Sequence, residues 1–209
     1  MLNEATRIVA VRHGQTAWNA DARIQGHTDI PLDETGHEQA RRLARALAHE
    51  PLQAVYSSDL QRARQTAAPL LADTGLPLRV DAGLRERGFG EFEGMSFTQI
   101  EARWPEQAAA WRRRDPDFGA RGGEVLRDFR TRIVATIERL AAAHRGEQIL
   151  LVTHGGVLDL LYREATRLAL DAPRTWELAN AGINRLLHGH QGLMLVGWAD
   201  TAHLDAPTA

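Results

Sequence analysis

The chain has no cysteine, which excludes disulfides, thiolate nucleophiles and cysteine-ligated zinc or iron–sulfur clusters. It has no lysine either, so all 25 basic residues are arginines. An arginine here is weaker evidence of phosphate binding than usual, because a general preference for arginine would place it anyway; position has to carry the argument. Charge of one sign is also lacking. With 27 acidic residues the formal net charge is -2, which rules out a whole-molecule attraction to nucleic acid or an anionic membrane, so any anion site must be local. No apolar run approaches the roughly 18 residues needed to span a bilayer. Residues 1–7 carry Glu4 and no long apolar stretch, and a cytoplasmic location is the simplest expectation. Fixed-period repeats, low-complexity tracts and convincing linkers are missing as well.

What is present is an ordinary globular composition. The 209 residues are 44% hydrophobic, which predicts one domain over 1–209 with a proper core. Apolar runs at 8–11, 54–57, 78–80 and 148–152 predict strands. Helical spacing predicts helices over about 35–49, 59–73 and 123–145, and another after 156. Thr35 with Glu38 reads as a capping box, and Ser58 with Gln61 as another. Residues 184–188 and 193–198 form a predicted hairpin, and the chain beyond Asp200 a loosely held tail. Strands alternating with helices predict an α/β fold: three layers, α/β/α, with a mainly parallel sheet and helices on both faces. A small inserted cap is expected at about 94–122, as short helices broken at Pro105.

Two of the strands end alike. Ile8-Val9-Ala10-Val11 stops at Arg12-His13-Gly14, and Ile149-Leu150-Leu151-Val152 stops at Thr153-His154-Gly155-Gly156. In open α/β sheets ligands bind beyond the carboxyl ends of parallel strands, so these ends bring imidazoles and a cation to the usual place for chemistry. Arg62, at the start of the second long helix, adds a second cation. The glycine-punctuated run 83–94 carries Glu86, Glu91 and Glu93, which spacing alone cannot rank as acid–base groups. His188 and His190 share a strand face, but no third ligand is evident, so no metal site is assigned.

This set of segments resembles the histidine phosphatase superfamily, the phosphoglycerate-mutase-like fold, across nearly the whole chain. Arg12-His13-Gly14-Gln15-Thr16 with Trp18-Asn19 is similar to its signature. Ser58-Asp59-Leu60-Gln61-Arg62-Ala63 with Thr66-Ala67 is similar to the segment of its second arginine. Leu84-Arg85-Glu86 with Gly88-Phe89-Gly90, and Thr153-His154-Gly155-Gly156, are similar to the segments of its acid–base carboxylate and second histidine. The resemblance implies His13 as nucleophile and Glu86 as general acid and then base. It also implies Arg12, Arg62 and His154 around the phosphoryl group, with Asn19 and the Gly155 N–H adding neutral contacts. A histidine suits that task because its ordinary pKa of about 6.5 leaves a neutral fraction with a free lone pair near pH 7.

The implied function is metal-independent hydrolysis of a small phosphomonoester, with no cofactor, no nucleic-acid or membrane partner, and a homodimer left open. Gln25, Arg112 and Arg113 are candidate substrate contacts. A bisphosphoglycerate-dependent phosphoglycerate mutase is the alternative, but only 95–121 fills the space where such mutases carry a longer insert. Val125 departs from the serine or threonine that many relatives place after the corresponding glutamate. A non-catalytic phosphate-binding relative is a third reading, and loss of His13 or Glu86 would have marked it.

Overall fold

A computed structural model describes residues 4–205. The elements run β1 (Thr6–Arg12), α1 (Ala17–Ala20), α2 (Glu34–Leu47), β2 (Ala54–Ser57), α3 (Gln61–Thr74), β3 (Leu78–Val80) and α4 (Phe97–Arg103). They continue α5 (Pro105–Arg112), α6 (Leu126–Ala143), β4 (Gln148–Thr153), α7 (Gly155–Thr166), β5 (Ile183–Gly189), β6 (Gly192–Asp200) and α8 (Ala202–Asp205). The strands form one sheet in the order β3-β2-β4-β1-β5-β6. The first four are mutually parallel, and β5 and β6 add an antiparallel hairpin at the β1 edge.

Side-chain alternation along the central strands builds the three layers. Ile8 and Ala10 of β1, with Ile149 and Leu151 of β4, pack against Phe129, Ile133, Ile137 and Leu140 of α6 and Leu158 and Leu161 of α7. The intervening Val9, Val11, Leu150 and Val152 pack on the other face against Leu43 and Leu47 of α2 and Ala63, Ala67 and Leu70 of α3. Strands buried on both faces read as unbroken apolar runs, as parallel strands covered by helices do. Each fully buried leucine or isoleucine contributes about 1.5–3 kcal/mol.

The cap segment has its own apolar cluster, in which Phe92, Ile100, Ala108 and Ala120 are surrounded by Trp104, Trp111, Phe97 and Phe118. Pro105 starts α5 instead of interrupting a helix, because its missing N–H is no loss in a first turn.

Three local expectations are corrected. The N-cap of α2 is Asp33, whose Oδ1 accepts from the Gly36 N–H at 2.8 Å. Thr35 therefore lies inside the first turn, and Glu38 binds Arg41 and Arg42 instead of closing a capping box. Likewise α3 begins at Gln61 and not 59, because Asp29, from a distant loop, accepts its Gln61 N–H at 2.7 Å, a contact no local pattern reveals. The chain after Asp200 is not simply loose. Leu204 of α8 accepts a hydrogen bond from Arg42 of α2 at 2.6 Å, and residues 206–209 lie outside the described residues.

The loop after β1 lies directly on α2. A Cβ added at Gly36 would stand 2.1 Å from the Gln15 carbonyl oxygen, and one at Gly14 would stand 2.6 Å from that of Gly36. Both contacts are to backbone, so neither neighbour can rotate away. Gly36→Ala is expected to cost about 1–3 kcal/mol in a denaturant titration, by overpacking this contact; an unchanged midpoint would contradict it.

Candidate active site

The parallel ladder pairs Arg12 of β1 with Thr153 of β4, and the His13 N–H continues it to the Thr153 carbonyl at 2.9 Å. The next residues, His13 and His154, are therefore neighbours, with ring centroids 5.2 Å apart and planes inclined at 58°. His13 is 3% exposed and His154 fully buried.

Nδ1 of His13 lies 2.7 Å from the Gly14 carbonyl oxygen. A carbonyl only accepts, so Nδ1 carries the proton and Nε2 keeps its lone pair. The surrounding backbone is tied down. The Gly14 N–H donates to Thr66 Oγ1 (2.9 Å), that hydroxyl donates to the Arg62 carbonyl (2.7 Å), and Asn180 Nδ2 donates to the His13 carbonyl (2.9 Å).

Burial, then the charges of Arg12 and Arg62, holds His13 well below its ordinary value of 6.5. His154 is depressed for the same first reason, with Arg62, His13 and Arg12 adding to it. Neither ring nitrogen of His154 bonds to a described residue. Both rings are thus neutral at pH 7.

Arg62, in the first turn of α3, is fully buried. Its Nη1 and Nη2 donate to the Thr28 and Gly26 carbonyls at 2.9 and 2.8 Å. Burial lowers its pKa to about 10, which leaves it charged at neutral pH. Those two carbonyls are placed by Glu93, whose oxygens accept from the N–H groups of His27, Thr28 and Phe89 and from Thr28 Oγ1. Burial would raise the Glu93 pKa, but these hydrogen bonds hold it below the ordinary range. Glu93 is thereby engaged as a brace for the Arg62 loop.

Glu86 occupies a different place. Its Oε1 accepts from the Arg87 N–H at 2.8 Å and its Oε2 from the Gly156 N–H at 2.9 Å, in the first turn of α7. Its charge acts on both Arg12 and Arg62. A Cβ at Gly156 would stand 2.1 Å from the carboxylate, so a side chain there would displace it. The Glu86 backbone is pinned by Arg132 Nη2 (3.1 Å) and by His27 Nε2 (2.8 Å) at its carbonyl. Arg132 in turn forms a two-pronged pair with Glu124, which accepts the Gly88 N–H.

Arg12, Glu86, Gly155 and Gly156 line a pocket of about 660 Å3, with Phe89, Trp111, Phe129 and Trp176 among its apolar walls. His13, His154 and Arg62 are buried and are not part of this lining; the Arg62 charge is felt by both histidines, and that of Glu86 by Arg12 and Arg62. The Arg12 guanidinium is aimed by a bond from Nη1 to the Leu178 carbonyl at 2.5 Å. The structure thus gathers His13, Arg12, Arg62, Glu86, His154 and Gly155.

Asn19, Gln25, Arg112 and Arg113 do not line the pocket, although Asn180 links Asn19 to the His13 carbonyl. Asn19 Oδ1 caps α1 through Thr16 and receives Asn180 Nδ2 at 3.3 Å. Gln25 is buried, and its Oε1 meets no described donor. Arg112 and Arg113 are exposed and do not line the pocket; Arg112 binds Glu101 at 2.7 Å and lies over Phe97. The third arginine of that run, Arg114, does reach the pocket, because its positive φ of 56° turns the chain there. Its Nη2 meets buried Asp159 at 2.5 Å. Arg87, Arg132, Asp159 and Asn180 are not evident from sequence, since each acts through partners distant in the chain, and Arg174 is marked only by its place on the pocket wall. His190 pairs with Glu4 at 3.5 Å, and among the described residues no group of three or more His, Asp or Glu converges as a metal cage.

Two neutral imidazoles, two buried or half-buried guanidiniums and one carboxylate, set at the carboxyl ends of parallel strands, suit a phosphoryl group. Comparison with known proteins gives the lineage. The chain belongs to the histidine phosphatase superfamily, whose branch 1 model matches residues 8–201. It is 39% identical over 204 residues to the phosphoglycerate mutase-like protein 4 of Arabidopsis thaliana, covering 95% of this chain and 86% of that one. It is 36% identical over 208 residues to a metal-independent phosphoserine phosphatase of the same plant, covering 98% and 85%. Among solved structures, a mycobacterial glucosyl-3-phosphoglycerate phosphatase complexed with VO3 superposes with a TM-score of 0.83 at 32% identity, covering 93% of this chain and 99% of that one.

The depressed imidazoles set a pH dependence. Below about 6.5 the unfolded chain takes up protons that His13 and His154 of the folded protein refuse, so stability falls as pH drops from there. Ring 15N shifts of the free protein are expected to show both imidazoles neutral at pH 6. Titration of either near 6.5 would contradict the burial and charge that depress them.

Proposed function

We propose that this protein is a phosphomonoester hydrolase that transfers the phosphoryl group of a small metabolite to His13 and then to water, without a metal. The observation that carries this reading is the placing of His13: buried beside the His154 ring, next to Arg12 in the chain, with Nδ1 2.7 Å from the Gly14 carbonyl, which leaves the Nε2 lone pair free. An uncharged imidazole with a fixed tautomer is a nucleophile that needs no deprotonation step, and the adjacent cations attract a phosphate dianion to it.

Nε2 attacks phosphorus while the ester P–O bond breaks and its electron pair leaves with the alcohol oxygen. Glu86, in its protonated form, gives that oxygen its proton. Arg12, Arg62 and His154 hold the three equatorial oxygens, where charge is spread in such a transfer. In the second half, carboxylate Glu86 takes a proton from water as the water oxygen attacks phosphorus and the N–P bond breaks, which restores His13 and protonated Glu86. Each Glu86 oxygen accepts only one backbone N–H, so each retains a lone pair for this proton. Two arginines supply the positive charge that other phosphoryl-transfer enzymes take from magnesium.

The relatives support hydrolysis, since one is named a metal-independent phosphatase and another a phosphatase of a phosphoglycerate derivative. With labelled p-nitrophenyl phosphate, rapid quench is expected to trap acid-labile, base-stable label on the wild type and none on His13→Ala. The variant's kcat/KM should fall by about three orders of magnitude or more. Glu86→Gln should lower kcat by about 10²–10⁴-fold. Equal labelling of His13→Ala would overturn the nucleophile, and strict dependence on an added metal after EDTA treatment would overturn the metal-free mechanism. Isomerisation of phosphoglycerate faster than phosphate release would replace hydrolase with mutase.

A further inference from the structure

The pocket holds more positive charge than one phosphoryl group uses. Beyond Arg12, its wall carries Arg87, Arg114 and Arg174. Two of these are spent on the protein itself. Arg87 donates to the Glu124 and Phe118 carbonyls at 3.0 and 2.5 Å, and Arg114 donates to the Leu170 carbonyl at 2.7 Å and to Asp159. Arg174 is exposed, and its side chain makes no hydrogen bond or ion pair with any described residue.

Its placement is nonetheless constrained. Pro173 fixes the backbone just before it. Two residues later Trp176 is buried, stacked on Tyr162 with centroids 4.0 Å apart and lying 4.8 Å from the guanidinium carbon of buried Arg163. Arg174 is therefore presented from a short, anchored segment at the pocket wall. There it stands close enough to Arg12 and Arg114 that its charge, after burial, contributes to lowering both of their pKa values. Arg12 has Glu86 and Arg114 has Asp159 as counter-charges on this wall, whereas Arg174 has no ion-pair partner among the described residues. Glu177 and Asp159 line the same wall, but neither lies within ion-pair distance of Arg174, and Asp159 Oδ2 is already taken by Arg114 and Arg163.

We propose that Arg174 is a specificity-determining residue that binds a second anionic group, a carboxylate or a second phosphate, on the same small molecule whose phosphoryl group Arg12 and Arg62 hold. This inference rests on the phosphatase reading above. A planar guanidinium with no other partner can take either anion through two parallel hydrogen bonds. The favoured substrate is accordingly a phosphomonoester that carries a second anionic group.

The test is competition against p-nitrophenyl phosphate turnover. The probes are 3-phosphoglycerate with glycerol 3-phosphate, and fructose 1,6-bisphosphate with fructose 6-phosphate; each pair differs in its second anion. In the wild type the doubly anionic member of at least one pair should have a Ki lower by about tenfold or more, the worth of a charged hydrogen bond. The pair that shows it distinguishes carboxylate from phosphate. Arg174→Ala should bring that ratio to within about twofold, and Arg174→Lys should retain part of it. A wild-type ratio near one for both pairs, or a ratio unchanged in Arg174→Ala, overturns the proposal. If the wild type fails to turn over p-nitrophenyl phosphate, the hydrolase reading fails, and calorimetric titration of the same four ligands into both proteins still decides for or against Arg174.

Discussion

The in-register parallel pairing of β1 with β4 is the constraint on which the site depends. Because Arg12 stands opposite Thr153, the next residue on each strand is a histidine, and the spacing of neighbouring strands brings the two rings together. A slip of one residue would turn Val9 and Leu150 to the wrong helical layer and separate the imidazoles at once. The two apolar clusters that hold the sheet between its helices therefore also hold the two histidines side by side. Stability and chemistry share the same ladder.

On that base the electrostatics follow from burial. Imidazoles packed beside guanidiniums cannot afford a proton, so they remain neutral where an exposed histidine would be half charged. The cations themselves stay charged, because protein carbonyls ring Arg62 and one aims Arg12. Glu86 is set against them by the Gly156 N–H in the first turn of α7. Glu93 and Glu124 keep the loops of Arg62 and Glu86 in shape, so three neighbouring carboxylates do three separate tasks.

Much of this was legible in the sequence, for physical reasons. The apolar runs, the breaks at histidine-glycine and the helical stripe of α6 are local patterns, and they marked the layers and the two strand ends. Only the family resemblance selected Glu86 over Glu91 and Glu93, since the difference lies in which backbone N–H groups each carboxylate meets. The caps of α2 and α3 were misplaced because Asp33 outcompetes Thr35 and because Asp29 arrives from another loop. The Arg112-Arg113-Arg114 run could not be resolved by composition. A left-handed backbone at Arg114 sends that side chain to the pocket while the other two stay in solvent. Arg174 was invisible for the complementary reason: its distinction is a partner it lacks, which only the folded wall reveals.

In the proposed reaction His13 attacks through Nε2, because the Gly14 carbonyl keeps the proton on Nδ1. The most direct measurement is heteronuclear NMR of the phosphorylated protein, with 15N-labelled histidine and an alkaline quench to preserve the adduct. Expected is 31P coupling to Nε2 of His13 and none to Nδ1. A phosphoryl group on Nδ1, or on any other residue, would contradict it.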